Sequence, residues 1–212
     1  MVSKPILVLA SFLSLFALIK VCSINDSRLC NPQVYSRSVY IGNGRGNGTG
    51  VILNDKYILT AKHVTNGEGR VIVAFAPGKI GIFPVLYESP DHDFAIVSNM
   101  PGSKQDKVKV NYNIVLQGTG CVVGNPVTGS FISANPIMLF ISWAVGPGGE
   151  IDKYVVFLPR GVASGFSGGG IFNDKDELLT IVTWCGMAES ICGGIPISTI
   201  ETELARTKFK LS

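Results

Sequence analysis

The stretch GVASGFSGGGIF, residues 161–172, contains five glycines and two serines, a composition typical of a loop rather than of a regular element. Such a loop could cradle a phosphate, link two domains or carry a nucleophile. Residues 165–169 (GFSGG) match the pattern Gly-x-Ser-x-Gly, whose central serine is a nucleophile. A serine nucleophile needs a base, usually a histidine, and that histidine needs a carboxylate that orients it. The remainder of the chain must therefore supply both groups for Ser167.

The positions of the histidines decide between the folds that can carry such a serine. The chain has two histidines, His63 and His92, and both precede Ser167. In α/β-hydrolases the order is serine, acid, histidine, and no histidine of this chain fits that order. The chain instead fits the order histidine, aspartate, serine, which belongs to a different scaffold.

The hydrophobic pattern indicates that this scaffold is built of strands. From residue 37 onward, short runs rich in β-branched and aromatic residues recur every 8–12 residues or so, roughly the spacing expected of an all-β sandwich or barrel. Gly, Asn, Asp and Pro separate these runs. About a dozen strands suit two small barrels better than one. Residues 100–107 (MPGSKQDK) are the most linker-like segment between the two.

Helical periodicity is confined to the C-terminal end of the chain. Residues 198–201 (STIE) match a capping box, and Ile200, Leu204 and Phe209 could line one face of a short helix. The glycine-rich stretch GNGRGNGTG (42–50) lacks the Lys-Ser/Thr pair of a phosphate-binding loop, and no helix pattern follows it. We therefore interpret it as a turn between strands.

Each candidate partner of the serine has a distinctive context. His63 follows the apolar strand in YILTAKHV, Asp93 opens the apolar run DFAIV, and Ser167 lies in GFSGG. In this order the three contexts resemble the trypsin/chymotrypsin superfamily of serine proteases, over about residues 37–210. The competing base is His92, whose neighbours suggest a solvated loop. The competing acid is Asp91, which does not directly open the apolar run.

Departures from the animal enzymes bring the chain closer to bacterial HtrA-type, phage or viral members than to digestive trypsins. Phe166 stands where an activated trypsin has the aspartate that pairs with its new N-terminus, and Val64 replaces the usual cysteine after the histidine. We therefore expect no zymogen switch of the trypsin type.

The resemblance implies an all-β fold of two six-stranded antiparallel β-barrels with a short C-terminal helix. Residues 24–104 would form the first barrel, with the histidine and the aspartate. Residues 105–212 would form the second barrel, with the serine and the helix.

The resemblance also implies the role of each candidate residue. His63 would be the general base and Asp93 would orient it, while Ser167 would be the nucleophile. The backbone N–H groups of Gly165 and Ser167 would form the oxyanion hole.

A primary substrate pocket without charge follows from the same resemblance. Gly161 would lie at its base, where trypsins carry an aspartate. The other implied substrate-binding residues are Val162, Thr183, Trp184, Cys185, Gly186 and Gly194. Because no buried charge could pair with Lys or Arg, we expect an apolar or aromatic residue before the scissile bond.

Residues 1–23 (MVSKPILVLASFLSLFALIKVCS) predict export of the chain. Lys4 precedes a 15-residue apolar run, which is typical of a signal peptide and short for a transmembrane span. Cleavage would be expected after Ser23, but Lys20 lies close to this site and makes it a poor one. A membrane anchor through residues 5–21 is therefore the alternative. Either interpretation makes the body of the protein extracytoplasmic, secreted or anchored at its N-terminus.

The body of the chain is almost neutral. Without residues 1–23 it has 16 basic and 15 acidic side chains, so its charge gives no basis for a nucleic-acid partner. Of its four cysteines, Cys185 and Cys192 are closest and flank a short loop, so we expect a disulfide between them. Cys121 could be free or pair with Cys30. No C-x-x-C or cysteine–histidine cluster indicates a metal site.

Two classes of function remain open at this point. The first is a serine endopeptidase that cleaves protein or peptide substrates through an acyl-enzyme intermediate and needs no cofactor. The second is a catalytically silent binding module on the same double-barrel fold. The joint presence of His63, Asp93 and Ser167 in their contexts, together with the glycine of the oxyanion loop, favours the first.

Overall fold

The computed structural model of the chain describes residues 31–75, 78–102, 106–112, 117–125, 133–145, 151–158, 164–186 and 191–209. Within these ranges the chain is mostly β, with thirteen strands and three short helices. The helices are α1 (Pro32–Ser36), α2 (Lys62–Thr65) and α3 (Ile197–Leu204). None of the helices in the described ranges is long and apolar enough to cross a membrane. The anchor predicted over residues 5–21 lies outside them.

The first half of the chain forms a closed antiparallel barrel of six strands. These are β1 (Ser38–Gly42), β2 (Asn47–Ile52), β3 (Tyr57–Thr60), β4 (Arg70–Phe75), β5 (Lys79–Glu88) and β6 (Ala95–Ser98). They lie in the order β1-β2-β3-β6-β5-β4. Apolar side chains that alternate along the strands fill the interior, where Ile41, Ile58 and Val73 are completely buried. The first predicted barrel is therefore confirmed.

The second half of the chain forms one antiparallel sheet of seven strands in the order β11-β10-β7-β8-β9-β13-β12. They are β7 (Gln117–Gly124), β8 (Ser133–Val145), β9 (Ile151–Leu158), β10 (Gly170–Asn173), β11 (Leu178–Ile181), β12 (Trp184–Cys185) and β13 (Cys192–Gly194). The two ends of the sheet approach each other, because Thr180 forms an antiparallel bridge with Pro196 and donates its hydroxyl to the Ile195 carbonyl. The sheet is thus strongly curved, as in a barrel, and has one strand more than the six predicted.

Strands β2 and β3 are buried on both faces over most of their length. On one face Ile52 and Ile58 fill the interior of the first barrel. On the other face Val51 and Leu59 pack in a cluster with residues of the second half, including Phe172. The outer face of β2 and β3 is therefore the seam between the two halves.

The segment between the halves is fastened to both of them. In residues 106–112, Val108 donates its N–H to the Leu53 carbonyl (2.8 Å), while Leu178 donates to the Lys109 carbonyl (2.8 Å). The predicted boundary between residues 104 and 105 lies in a gap of the described ranges, so the division at that point stays a prediction.

The glycine-rich stretch 42–50 divides between a turn and a strand. Residues 43–46 form the predicted turn, in which the Asn43 side chain accepts the N–H groups of Arg45 (2.8 Å) and Gly46 (2.7 Å). Strand β2 begins at Asn47, so the final Gly-Thr-Gly belongs to the barrel wall.

The C-terminal helix is present, but it begins differently from the prediction. Its N-cap is Pro196, and no side chain caps it, so the predicted capping box of residues 198–201 is wrong. The helix starts two residues earlier than that box requires, which places Ser198 inside the first turn. The predicted apolar face is confirmed for Ile200 and Leu204, which are buried on the helix, whereas Phe209 is buried in the segment that follows it.

The end of the chain packs back onto the first barrel. The ring of Phe209 lies 5.6 Å from that of Tyr57 and 5.9 Å from that of Tyr87. The Tyr87 hydroxyl donates to Glu203 Oε1 of α3 at 2.6 Å. Burial, and next the hydrogen bond to Glu203, raise the pKa of Tyr87 to about 12. This hydrogen bond therefore contributes its full stability below pH ~10 and loses it as the pH rises through about 12.

Replacing Tyr87 by phenylalanine should destabilise the fold by removing this donor. Glu203 Oε2 has no hydrogen-bond partner among the described residues. Without the Tyr87 hydroxyl, the Glu203 carboxylate would therefore have no hydrogen bond to any described residue. We expect the free energy of unfolding in urea at pH 7 to fall by about 1–3 kcal/mol. Tyr40→Phe is the control, because the Tyr40 hydroxyl makes no hydrogen bond within the described ranges. Equal losses in both variants would contradict the role of the Tyr87–Glu203 bond.

Candidate active site

His63 lies in the single-turn helix α2, directly after β3. The turn ends at Asn66, whose left-handed backbone (φ 53°) lets its N–H donate to the Lys62 carbonyl at 2.9 Å. Val64 and Thr65 are buried against the barrel. The neighbouring His63 side chain therefore points outward, with 47% of its surface exposed.

Asp93 lies in the loop that joins β5 to β6. Ser89 organises this loop, because its hydroxyl oxygen accepts the N–H groups of Asp91 (3.2 Å) and His92 (2.8 Å). The Ser89 N–H donates in turn to the Phe94 carbonyl at 3.0 Å. Phe94 is completely buried, so Asp93 sits between a hydrogen-bonded turn and an anchored aromatic ring.

Asp93 binds His63 at two points. Its Oδ2 lies 2.7 Å from the ring Nδ1, and its Oδ1 accepts the backbone N–H of His63 at 2.9 Å. An ionised carboxylate only accepts hydrogen bonds, so Nδ1 carries the hydrogen and Nε2 is left able to accept a proton. The pair has the geometry of an oriented general base.

The competing residues of the sequence analysis belong to a different neighbourhood. His92 Nε2 lies 3.8 Å from Glu203 Oε2 of the C-terminal helix, while Asp91 donates its N–H within the loop. The structure therefore brings His63 to Asp93 and His92 to α3.

Ser167 lies in a tight turn between two glycines with left-handed backbone. The φ angles are 102° at Gly165 and 80° at Gly168, a region that glycine adopts without a steric penalty. Gly169 closes the turn by donating its N–H to the Phe166 carbonyl at 2.7 Å. Gly165 and Gly168 are thus required by the backbone of this turn.

An apolar side chain anchors the turn to the second half. Phe166 is 1% exposed and packs in a cluster formed by Val122, Val155, Ile171, Leu179, Val182 and Cys192. Burial of such a side chain stabilises by about 1.5–3 kcal/mol. Beside it, Gly168 donates its N–H to the Val182 carbonyl at 2.7 Å. Phe166 therefore ties the loop down through burial, at the position where trypsins use an ion pair.

The same turn also rests on the first barrel. Thr49 of β2 donates its backbone N–H to the Ser167 carbonyl at 2.7 Å. A Cβ atom on Gly168 would collide with the Thr49 carbonyl and the Thr60 hydroxyl. Because β3 ends at Thr60 and α2 begins two residues later, the Ser167 turn lies against the segment that carries His63.

The two candidate oxyanion donors have no competing acceptor among the described residues. Neither the Gly165 N–H nor the Ser167 N–H donates to a protein atom within the described ranges, although Gly165 is buried. The Phe166 carbonyl accepts the N–H of Gly169. This carbonyl belongs to the same peptide unit as the Ser167 N–H. Since carbonyl and N–H point in opposite directions across a trans peptide, this bond directs the Ser167 N–H away from the Gly169 side.

Strands β12 and β13 carry the described part of the expected pocket. Trp184 is half-buried and pairs with Gly193, whose carbonyl accepts the N–H of buried Thr183 at 2.9 Å. A Cβ on Gly193 would lie 2.7 Å from the Trp184 ring, so the missing side chain makes room for the indole. Gly194 is buried with its α-carbon against β11.

A disulfide joins these two strands at the next pair. Cys185 and Cys192 lie directly opposite each other and are bonded, with an S–S distance of 1.98 Å. Cys185 is exposed and Gly186 is half-buried at the open end of the hairpin. Gly161 and Val162, expected at the base of the pocket, lie outside the described residues.

Two residues that hold the Ser167 turn escaped the sequence analysis. Thr49 was included in a stretch interpreted as a turn, and Asn125, which donates its N–H to the Thr49 hydroxyl at 2.8 Å, had no distinguishing context. A signal for Thr49 did exist. A strand residue flanked by glycines often marks the close approach of another backbone.

Comparisons with known proteins place these features in a family. A family model described as a trypsin-like peptidase domain matches residues 48–181, more than half of the chain. The "probable periplasmic serine protease do/HhoA-like" of Haemophilus influenzae is 28% identical over 151 residues, which are 66% of this chain and 31% of that protein. The chain thus spans about a third of the length of this curated relative.

Solved structures share the fold. The Rv3671c protease of M. tuberculosis in its inactive form has a TM-score of 0.73 at 21% identity, covering 84% of this chain and 91% of that one. A serine endoprotease from Yersinia pestis has a TM-score of 0.63 at 26% identity, covering 81% of this chain and 62% of that one.

Alanine at Gly168 should disrupt the Ser167 turn, and Gly44 provides a matched control. Both glycines have φ near 80° (80° and 82°), but a Cβ on Gly44 would meet nothing within 4 Å. Both variants carry the left-handed penalty of about 1–2 kcal/mol. Gly168→Ala should lose a further ~1–3 kcal/mol through its collision with β2 and β3. Urea denaturation of the two variants measures this difference, and equal stability would contradict the close docking of the turn.

Proposed function

Since the chain belongs to the trypsin-like peptidase family, we propose that it is a serine endopeptidase that acts through His63, Asp93 and Ser167. Membership of this family confirms the resemblance indicated by the sequence contexts, and its enzyme class is the one that was predicted. The observation that carries the proposal is the Asp93–His63 pair, which is joined by two hydrogen bonds. This pair lies next to the Ser167 turn, which rests on β2.

The proposed first step is acylation. The Ser167 hydroxyl oxygen attacks the carbonyl carbon of the scissile peptide, and its proton passes to Nε2 of His63. Asp93 favours this transfer because its carboxylate stabilises the imidazolium that forms. The N–H groups of Gly165 and Ser167 bind the resulting oxyanion, and one such donor is worth about 3–4 kcal/mol. The C–N bond then breaks, and the amine leaves with the proton from Nε2.

The proposed second step is hydrolysis of the acyl-enzyme. A water molecule gives one proton to Nε2 of His63 while its oxygen attacks the acyl carbon. The same oxyanion donors act again. The bond to Ser167 then breaks, its oxygen recovers the proton from His63, and the carboxylic acid product leaves with the enzyme unchanged.

The proposed substrates are proteins or peptides, with an apolar or aromatic side chain before the scissile bond. Support comes from the uncharged residues on β12 and β13, where Trp184 provides an apolar wall and Gly193 leaves space beside it. The described walls carry no carboxylate, so they offer no partner for a Lys or Arg side chain.

The proposed location is outside the cytoplasm. Cys121 is disulfide-bonded, as are Cys185 and Cys192, and disulfides persist in oxidising compartments. This excludes a free Cys121 thiol, one of the two alternatives left open by the sequence. The relative from H. influenzae is named a periplasmic protease, and residues 1–23 have the pattern of an export signal.

Reaction with a biotin-free alkyl fluorophosphonate tests the proposed nucleophile. We expect one adduct on Ser167 in the intact mass of the purified chain, and none in Ser167→Ala. His63→Ala should slow the reaction at least about 10³-fold, because the base is lost. His92→Ala is the matched control and should react at nearly the parent rate.

Two outcomes would contradict this assignment. Absence of an adduct on a folded parent would favour the catalytically silent binding module. Equal loss of reaction in the two histidine variants would show that His63 has no special role.

A peptide library tests the proposed specificity. We expect cleavage mainly after apolar or aromatic residues, because the described pocket walls carry no charge that could pair with a basic side chain. Mass spectrometry of the products identifies the cut sites, with Ser167→Ala as the blank. Cleavage mainly after Lys or Arg would refute the uncharged pocket while leaving the nucleophile in place.

A further inference from the structure

Thr49 is a buried polar residue of β2 that the proposed mechanism does not use. Thr49 is completely buried, and both of its hydrogen-bond donors bind carbonyls of the Ser167 turn. The backbone N–H donates to the Ser167 carbonyl at 2.7 Å, and the hydroxyl donates to the Gly165 carbonyl at 2.7 Å. These bonds join residues that are more than 110 positions apart, from opposite halves of the chain.

The remaining polar groups of Thr49 are also bonded. A hydroxyl has one donor and two acceptor sites, and this one accepts the N–H of Asn125 at 2.8 Å. The Thr49 carbonyl accepts the Thr60 hydroxyl at 2.7 Å. Thr49 therefore links β2, the end of β3, the end of β7 and the Ser167 turn.

The glycine before Thr49 permits this close approach. A Cβ on Gly48 would lie 2.6 Å from Val64 Cγ2 and 2.7 Å from the Ser167 carbonyl oxygen, closer than real Cβ contacts. Any side chain at position 48 would thus push the turn away from β2. Gly48 thus leaves the space for the Ser167 turn, and Thr49 makes the hydrogen bonds to it.

The bonds made by Thr49 complete the fixation of the turn's carbonyls. Thr49 binds the carbonyls of Gly165 and Ser167, and Gly169 binds that of Phe166. The three successive peptide units that begin at Gly165, Phe166 and Ser167 are therefore each fixed by a hydrogen bond to their carbonyl. Because Gly165 is a flexible glycine with φ 102°, its peptide would turn freely without such a bond.

We propose that Thr49 is a positioning residue of the active site, whose hydroxyl fixes the Gly165–Phe166 peptide and so keeps the oxyanion donors and Ser167 aligned. This inference rests on the proposed function of Ser167. A residue with a purely structural role would lower stability without a specific effect on the rate of the chemical step.

Isosteric and conservative variants test the inference. Thr49→Val replaces the hydroxyl by a methyl group, whereas Thr49→Ser keeps the hydroxyl. The fluorophosphonate used above gives kinact and KI for reaction at Ser167. We expect Thr49→Val to lower kinact about 10- to 100-fold and to change KI less than about threefold. Thr49→Ser should restore most of kinact.

The pH dependence provides a second readout. The His63–Asp93 pair lies within the first barrel and is untouched by Thr49, so Thr49→Val should lower the rate equally at every pH. The pH of half-maximal reaction should not move. A purely structural defect that also disturbs the base would shift it.

A matched variant separates positioning from loss of stability. Thr180→Val also removes the hydroxyl of a completely buried threonine, but its hydroxyl serves the Ile195 carbonyl and not the turn. It should lower the urea midpoint and leave kinact close to that of the parent. If Thr49→Val does not fold, Thr49→Ala removes the same hydroxyl without adding a methyl group, and the same loss of kinact is expected.

The outcomes distinguish this inference from the proposed function. If the parent reacts at Ser167 and a folded Thr49→Val or Thr49→Ala variant reacts as fast, only the role of Thr49 is overturned. A parallel fall of kinact in Thr180→Val and Thr49→Val would overturn it as well. Absence of any reaction at Ser167 in the folded parent would overturn both.

Discussion

The hydrogen bonds from Thr49 to the Ser167 turn join the two halves of the chain at the proposed active site. His63 and Asp93 both belong to the first barrel, and Asp93 binds His63 directly. Ser167 comes from the second half, and its position relative to His63 depends on contacts across the seam. Buried hydrogen bonds suit this purpose, because they are directional and because breaking one leaves unpaired polar groups away from water.

Two kinds of interaction hold the Ser167 turn, and each makes a different contribution. Burial of Phe166 attaches it to the second half through an interaction that has no preferred direction. Thr49 and Gly168 then determine its orientation on β2 and β3. An apolar anchor is present as soon as the chain has folded. An ion pair to a new N-terminus would instead require prior cleavage, and the absence of a trypsin-type zymogen switch stays a prediction.

The C-terminal segment supports the acid of the proposed triad from behind. Phe209 packs on Tyr87, and the Tyr87 ring lies 5.9 Å from that of Phe94, which directly follows Asp93. The bond from Tyr87 to Glu203 secures α3 against the same surface. Each half of the chain therefore packs on the other, which couples the stability of the seam to the geometry of the proposed site.

The sequence by itself determined the β architecture and the candidate residues His63, Asp93 and Ser167. Their contexts are local patterns: an apolar run followed by a histidine, an aspartate that opens a strand and a serine among glycines. Local patterns can be read along the chain. The tertiary structure alone decided which residues hold these groups together. Gly44 and Gly168 have the same backbone conformation, yet only Gly168 has neighbours that exclude a side chain. Ser198 resembles a helix cap, yet packing starts the helix at Ile197. Thr49 resembles part of a turn, and its role exists only because folding brings to it a loop from more than 110 residues away.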